Sequence, residues 1–155
     1  MRDCVRFSTL SFILGVVAAL YAPALAQSTV DVNVNQTAAT ACSTGEEVAL
    51  SGDLHFAYSF TTDSATGINT YRVVIASSLS GVGQATQTDY VGNASYGYEF
   101  PTTASPAQIT LQLGSRLRSQ GSAPNLTLTQ TVNITVDASG NISASVAGSS
   151  TQCVN

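Results

Sequence analysis

From Ser28 onward the chain alternates apolar and polar residues with a period of two, and helical spacing is absent. Val30, Val32 and Val34 alternate with Asp31, Asn33 and Asn35. In Leu50–Phe60, Leu50, Gly52, Leu54, Phe56, Tyr58 and Phe60 share one face, and Ser51, Asp53, His55, Ala57 and Ser59 the other. Successive side chains of a strand point to opposite faces, so each such run predicts a strand with one apolar side. The same pattern recurs at 70–79, 89–100, 108–118 and 125–137, and in a last short strand carrying Ile142, Ala144 and Val146. Seven strands of this kind predict an antiparallel all-β domain.

Turn chemistry separates the runs: Asp63 to Asn69 with Gly67, Gly81-Val82-Gly83, Pro101 to Pro106, Gly121 to Pro124, and Ala138 to Asn141. Connections this short favour a meander of neighbouring strands. Strands of ten or more residues are long for a small sandwich, so a flattened up-and-down barrel is favoured, with a β-sandwich as the alternative. A membrane barrel fits less well. Tryptophan is absent, the aromatics gather in few strands, and the chain does not end on an aromatic strand.

The first 26 residues depart from this pattern. Arg2 and Arg6 precede an apolar core from Phe12 to Leu20, then Pro23 and the small-residue site Ala24-Leu25-Ala26. This is the layout of a cleaved secretory signal, and the core is too short for a transmembrane anchor, which needs about 20 residues. Residues 1–26 are therefore expected to be a signal peptide and 27–155 a single all-β domain, secreted or periplasmic.

Charge narrows the partners. Residues 27–155 hold three arginines (Arg72, Arg116 and Arg118) against eight carboxylates, a balance of −5, and there is no lysine in the chain. Such a chain lacks the basic footprint of a nucleic-acid binder and does not favour anionic lipid. Cys42 and Cys153 are left once the signal is removed, and in an exported protein their simplest reading is a disulfide. One histidine and two distant cysteines do not make a metal site, and no cofactor is expected.

The stretches "LSGDLHFAYSF", "LSGVGQATQTDYVGNASYGYEF" and "LRSQGSAPNLTLTQTVNITVDASGNISASV", with the closing Cys153, carry a resemblance. The chain resembles a group of uncharacterised bacterial secreted proteins in which Ser-Gly-x-Leu-His, Ser-Gly-Val-Gly-x-x-Thr and Thr-Val-Asn segments recur in this order. The resemblance covers roughly Cys42 to Cys153. It implies a bacterial exported β-domain and supplies no catalytic residue.

Candidate chemistry is sparse. Asp53 and His55 share a face and form a weak general-base candidate, but no strained Gly-x-Ser-x-Gly turn accompanies them. Gly81-Val82-Gly83 resembles the start of a phosphate loop but no helix follows, which leaves a bend or bulge. Thr127, Thr129, Thr131, Asn133 and Thr135 form a polar row that a glycan could meet, although threonine is also a common choice on a wet strand face. Phe56, Tyr58, Tyr71, Tyr90, Tyr96 and Tyr98 fall on apolar faces and are the candidate ligand-binding residues, as wall of a small apolar pocket or as filled core. The favoured function is a non-enzymatic binding or surface-associated module. The alternatives are a carrier of a small apolar ligand in a tyrosine-rich interior and a barrel-type enzyme using Asp53 and His55.

Overall fold

A computed structural model describes residues 27–40, 46–103 and 106–154. Seven strands follow one another: β1 (Ser28–Thr40), β2 (Glu47–Thr62), β3 (Asn69–Gly83), β4 (Asp89–Thr102), β5 (Ala107–Ser119), β6 (Leu126–Val136) and β7 (Ile142–Cys153). Each pairs with its neighbour in sequence order, and the sheet closes into a barrel by pairing β1 with β7. All sequential pairs are antiparallel and the closing pair is parallel. The parallel closure follows from the odd strand number, because the first and last strands of a seven-stranded meander run the same way.

The ladders are unequal. β2 and β3 pair from Val48–Gly83 to Thr62–Asn69, and β3 and β4 from Asn69–Thr102 to Val82–Asp89. β5 and β6 pair from Ala107–Val136 to Leu117–Leu126. Two seams are short by contrast. β4 meets β5 only at Tyr90–Ser119 and Val91–Arg118, and β1 meets β7 only at Ala39–Ser150 and Thr40–Thr151. The barrel is thus a four-stranded sheet (β1 to β4) and a three-stranded sheet (β5 to β7), joined along both flanks at one end and apart at the other. This unites the two architectures the sequence left open: a barrel by closure, and a sandwich over most of its length.

Residue size along the inner faces accounts for the taper. Toward the joined end β3 turns inward Ser77, Gly81 and Gly83, and β4 turns in Gly92. A Cβ on Gly92 would lie 2.8 Å from the Arg116 carbonyl oxygen, so the absence of a side chain permits the approach of β4 to β5. Toward the open end the same strands turn in Tyr71, Val73, Tyr96, Tyr98 and Phe100, whose bulk keeps the sheets apart. Phe60, Tyr71 and Phe100 form a ladder across β2, β3 and β4, with ring centroids 5.1 and 5.6 Å apart.

The core fills the space between the sheets with Leu50, Leu54, Phe56 and Ile75 from one and Leu113, Leu117, Leu128, Val132 and Ile134 from the other. Full burial of each such side chain is worth roughly 1.5–3 kcal/mol before the cost of chain ordering. The apolar face of Leu50–Phe60 lies inside and the Asp53–His55 face outside, the arrangement burial energetics dictate. β7 continues well past Val146. The apolar alternation fades in Gly148–Gln152 because a bulge shifts the register between Thr131–Gly148 and Val132–Val146, while ladder bonds to β6 still carry the strand to Cys153.

Candidate binding cleft at the joined end of the barrel

Glu46 just before β2, the turn from Gln84 to Thr88 and the loop from Gln120 to Asn125 gather at the joined end. They surround a cleft of about 340 Å³. Val48, Tyr90, Ala123, Pro124 and Leu126 give it apolar walls, Glu46, Thr86 and Thr88 supply polar groups, and Cys153 borders it.

Glu46 is the organising residue. Its side chain is buried, and its Oε1 accepts hydrogen bonds from the backbone N–H of Thr86 (2.8 Å), the Thr86 hydroxyl (2.8 Å) and the backbone N–H of Ala85 (3.2 Å). The Thr86 amide is the main cause that holds the Glu46 carboxyl below the usual range, and burial opposes it. The turn is shaped to deliver these donors. The Gly83 N–H donates to the Thr88 carbonyl (2.9 Å), and Gln87 adopts a left-handed φ of 55°. A Cβ on Gly83 would lie 2.2 Å from Glu46 Oε1, so the missing side chain leaves room for the carboxylate where its donors hold it. The glycines weighed in the sequence as a phosphate loop are thus the last residues of β3, and the second makes room for a carboxylate.

Tyr90 faces the same cleft. It is 3% exposed, burial raises the pKa of its phenol, and the nearby Glu46 charge adds to that rise. Its hydroxyl makes no hydrogen bond among the described residues, in contrast to the other tyrosines of the core.

Four of those tyrosines stitch the two sheets together. The Tyr71 hydroxyl donates to the Gly140 carbonyl (3.2 Å), Tyr96 to Gly114 (3.1 Å) and Tyr98 to Gln112 (3.2 Å), while Tyr58 accepts the Ile142 N–H (3.2 Å). Each bond joins β2, β3 or β4 to backbone of the opposite sheet or its turn, where no ladder runs between them. Phe56 is fully buried in the core. Of the six aromatic candidates, Tyr90 is the one with a polar group directed to the cleft and uncommitted.

His55 stands on the outer face of β2. Its Nδ1 lies 2.5 Å from Asp31 Oδ1 on β1, and Asp53 instead accepts the Asn33 amide at 3.2 Å. The register explains the exchange of partners: Asp31 is directly opposite His55 and Asn33 opposite Asp53. Cross-strand neighbours sit about 4.5–5.5 Å apart, closer than residues two apart on one strand. The side chains of His55 and Asp31 are 49% and 71% exposed, and among the described residues no serine, threonine or cysteine hydrogen-bonds to either.

No group of three or more potential metal-ligating residues occurs among the described residues. Asp137, at the start of the last turn, spends its carboxylate on the N–H groups of Ser139 and Asn141 and on the Asn141 amide. Cys42 lies outside the described residues, and Cys153 ends β7 half-buried.

No family model matches the chain, and neither the curated proteins nor the solved structures contain a significant match to it. The class this fold and cleft define is a seven-stranded β-barrel with a cleft of mixed apolar and polar lining at one end.

Proposed function

We propose that residues 27–155 form an exported, non-enzymatic binding module that takes a small ligand in the cleft at the joined end. The observation that carries this reading is Glu46. An ionised carboxylate is fixed in place by three donors and bordered by apolar walls and an uncommitted tyrosine hydroxyl. Mouths of β-barrels with a few convergent polar groups are favoured ligand sites. The ligand that fits presents a cationic group or hydrogen-bond donor to Glu46 and an apolar body to Val48, Pro124 and Leu126. A carboxyl held ionised at neutral pH is a poor general acid, and no paired base accompanies it, which supports binding over catalysis. The commitment of Tyr58, Tyr71, Tyr96 and Tyr98 to cross-sheet bonds supports a filled interior over an internal carrier cavity.

The export part of the proposal rests on the signal-like residues 1–26 and on the resemblance to bacterial secreted proteins. It includes a Cys42–Cys153 disulfide, which the closing seam supports. Ala39 pairs with Ser150 and Thr40 with Thr151, an offset that is the same as that between Cys42 and Cys153. A bridge there would tie the parallel seam where ladder bonds are fewest.

Native mass spectrometry of the protein secreted by its own host tests the ligand. A co-purifying small molecule that is lost in Glu46→Gln and weakened in Tyr90→Phe is the expected result. A bare mass for the unaltered protein overturns the reading. Tyr90→Phe guards against a folding artefact, since its hydroxyl supports no other residue of the described chain.

A further inference from the structure

The three arginines of the described residues are used unequally. Arg72 is paired with Glu99 across β3 and β4, Nε to Oε2 at 2.9 Å. Arg116 and Arg118 make no ion pair and no side-chain hydrogen bond among the described residues. Being two residues apart on β5, they stand on the same outward face. Both line one groove of about 320 Å³, together with Val91, Gly92 and Asn93 of β4.

Three features make this groove more than two solvated side chains. Its floor is the narrow point of the β4–β5 seam, where Val91 pairs with Arg118 and the missing side chain of Gly92 brings β4 against the Arg116 backbone. The two cations therefore rise from a closed stretch of sheet and not from a loop. Secondly, their directly opposite neighbours are neutral: Thr127 is opposite Arg116 on β6, Val91 is opposite Arg118, and the Asn93 amide has no partner among the described residues. Asp89, the nearest carboxylate along β4, forms no ion pair with either among the described residues. Thirdly, Val91 is a large apolar residue left 43% exposed on the outer face beside them. Two like charges on one strand face repel, and none of the eight carboxylates in residues 27–155 pairs with either among the described residues.

We propose that this groove binds an oxyanion-bearing ligand. Its carboxylate, phosphate or sulfate group is held by the guanidinium forks of Arg116 and Arg118, with the Asn93 amide as a further donor and Val91 against the ligand's apolar part. Arginine suits this role because its planar donors match an oxyanion in pairs. Two residues of strand separate the forks by about 6.7 Å at the backbone. They can close on one group or take two successive groups of an acidic chain. The site is separate from the Glu46 cleft, which is negative and opens inside the barrel end, so the two proposals fail independently.

Titration of the purified protein with sodium phosphate, a galacturonate trimer and a neutral galactose trimer, followed by amide NMR shifts, tests it. Binding by at least one acidic probe is expected, with shifts at 91–93 and 116–118, weakening as salt screens the charges. An Arg116→Gln/Arg118→Gln variant should lose affinity at least tenfold, and Arg72→Gln should match the unaltered protein. Preference for phosphate or for galacturonate assigns the ligand's source. Should the double variant fail to fold, Arg118→Lys keeps the charge and removes the fork, and a loss of threefold or more is expected. Binding by neither acid, equal binding of the neutral sugar, or acid binding that survives these substitutions overturns the proposal.

Discussion

Gln130 is the residue most at odds with its surroundings. It points into the core from β6 at 1% exposure, and its Nε2 finds no hydrogen-bond partner among the described residues. A buried amide without partners costs roughly 1–3 kcal/mol. Gln130→Leu is therefore expected to stabilise the protein by about 1 kcal/mol, read as a higher urea midpoint at unchanged slope. A lower midpoint would show that the amide is satisfied by ordered water. The cross-sheet tyrosines should split by what they leave behind. Tyr71→Phe removes a donor from the Gly140 carbonyl and should cost about 0.5–1.5 kcal/mol, whereas Tyr58→Phe orphans the buried Ile142 N–H and should cost about 1–3 kcal/mol. Equal costs would mean that the Ile142 amide finds another acceptor. These roles were half legible in the sequence. Alternation placed the five tyrosines on inner faces, and buried hydroxyls need partners, but only the approach of the second sheet supplies the backbone groups that Tyr58, Tyr71, Tyr96 and Tyr98 meet.

At the scale of elements, strand position and length follow from pattern, and strand pairing strength does not. β4 from Gly92 to Thr102 and β5 from Ala107 to Leu117 alternate as cleanly as the paired strands, yet they do not pair with each other. Hydrogen exchange should show this directly. Along β4, amides facing β3 should be protected, and those facing β5 beyond Val91 should exchange far faster, giving protection at every second residue. Uniform protection along β4 would contradict an open seam. Such edges invite pairing with other chains, and Pro101, the Tyr96 and Tyr98 hydroxyls on β5 carbonyls and the charged Glu99 blunt this one. One glycine is equally specific. Gly52 has φ of +136°, and a Cβ on it would lie 2.2 Å from the Ser78 carbonyl oxygen. Gly52→Ala should cost more than about 2 kcal/mol in thermal or urea unfolding, through backbone strain in the middle of β2.

For the whole molecule, acid is the lever to test. The carboxyls of Glu46, Asp63 and Asp137 are all held below their usual range, chiefly by the Thr86 amide, the Ala65 amide and the Asn141 side chain respectively. Folded pKa values below the unfolded ones mean that the unfolded chain takes up protons first. Stability from these groups is thus present above about pH 4 and lost as pH falls through the folded values. The melting temperature should hold level from neutral pH down to about 5 and then fall, and Glu46→Gln should make that fall shallower. A melting temperature that rises on acidification would refute the assignment. Reduction of the proposed Cys42–Cys153 bridge is a separate test. A closed loop of that length contributes on the order of 4–5 kcal/mol in the chain-entropy account, so an unchanged melting temperature on reduction would argue against the bridge.

The sequence by itself determined the all-β class, the seven strands, most of their turns and the faces that lie inside, although Gly81-Val82-Gly83, read as a turn, closes β3 and the turn follows at 84–88. Those properties follow from neighbours along the chain: a period of two, glycine and proline at breaks, and the cost of exposing apolar faces. The same residues could not say that the Asp53–His55 pairing would yield to Asp31–His55, or that Glu46 would be folded under a turn about 40 residues away. Nor could they say that Arg116 and Arg118 would meet Asn93 over one groove. Each of these depends on strand register and on how closely two sheets approach, which are set by side-chain volume summed across the core. Tertiary structure decided them because a contact between strands is a property of both partners, whereas alternation is a property of one.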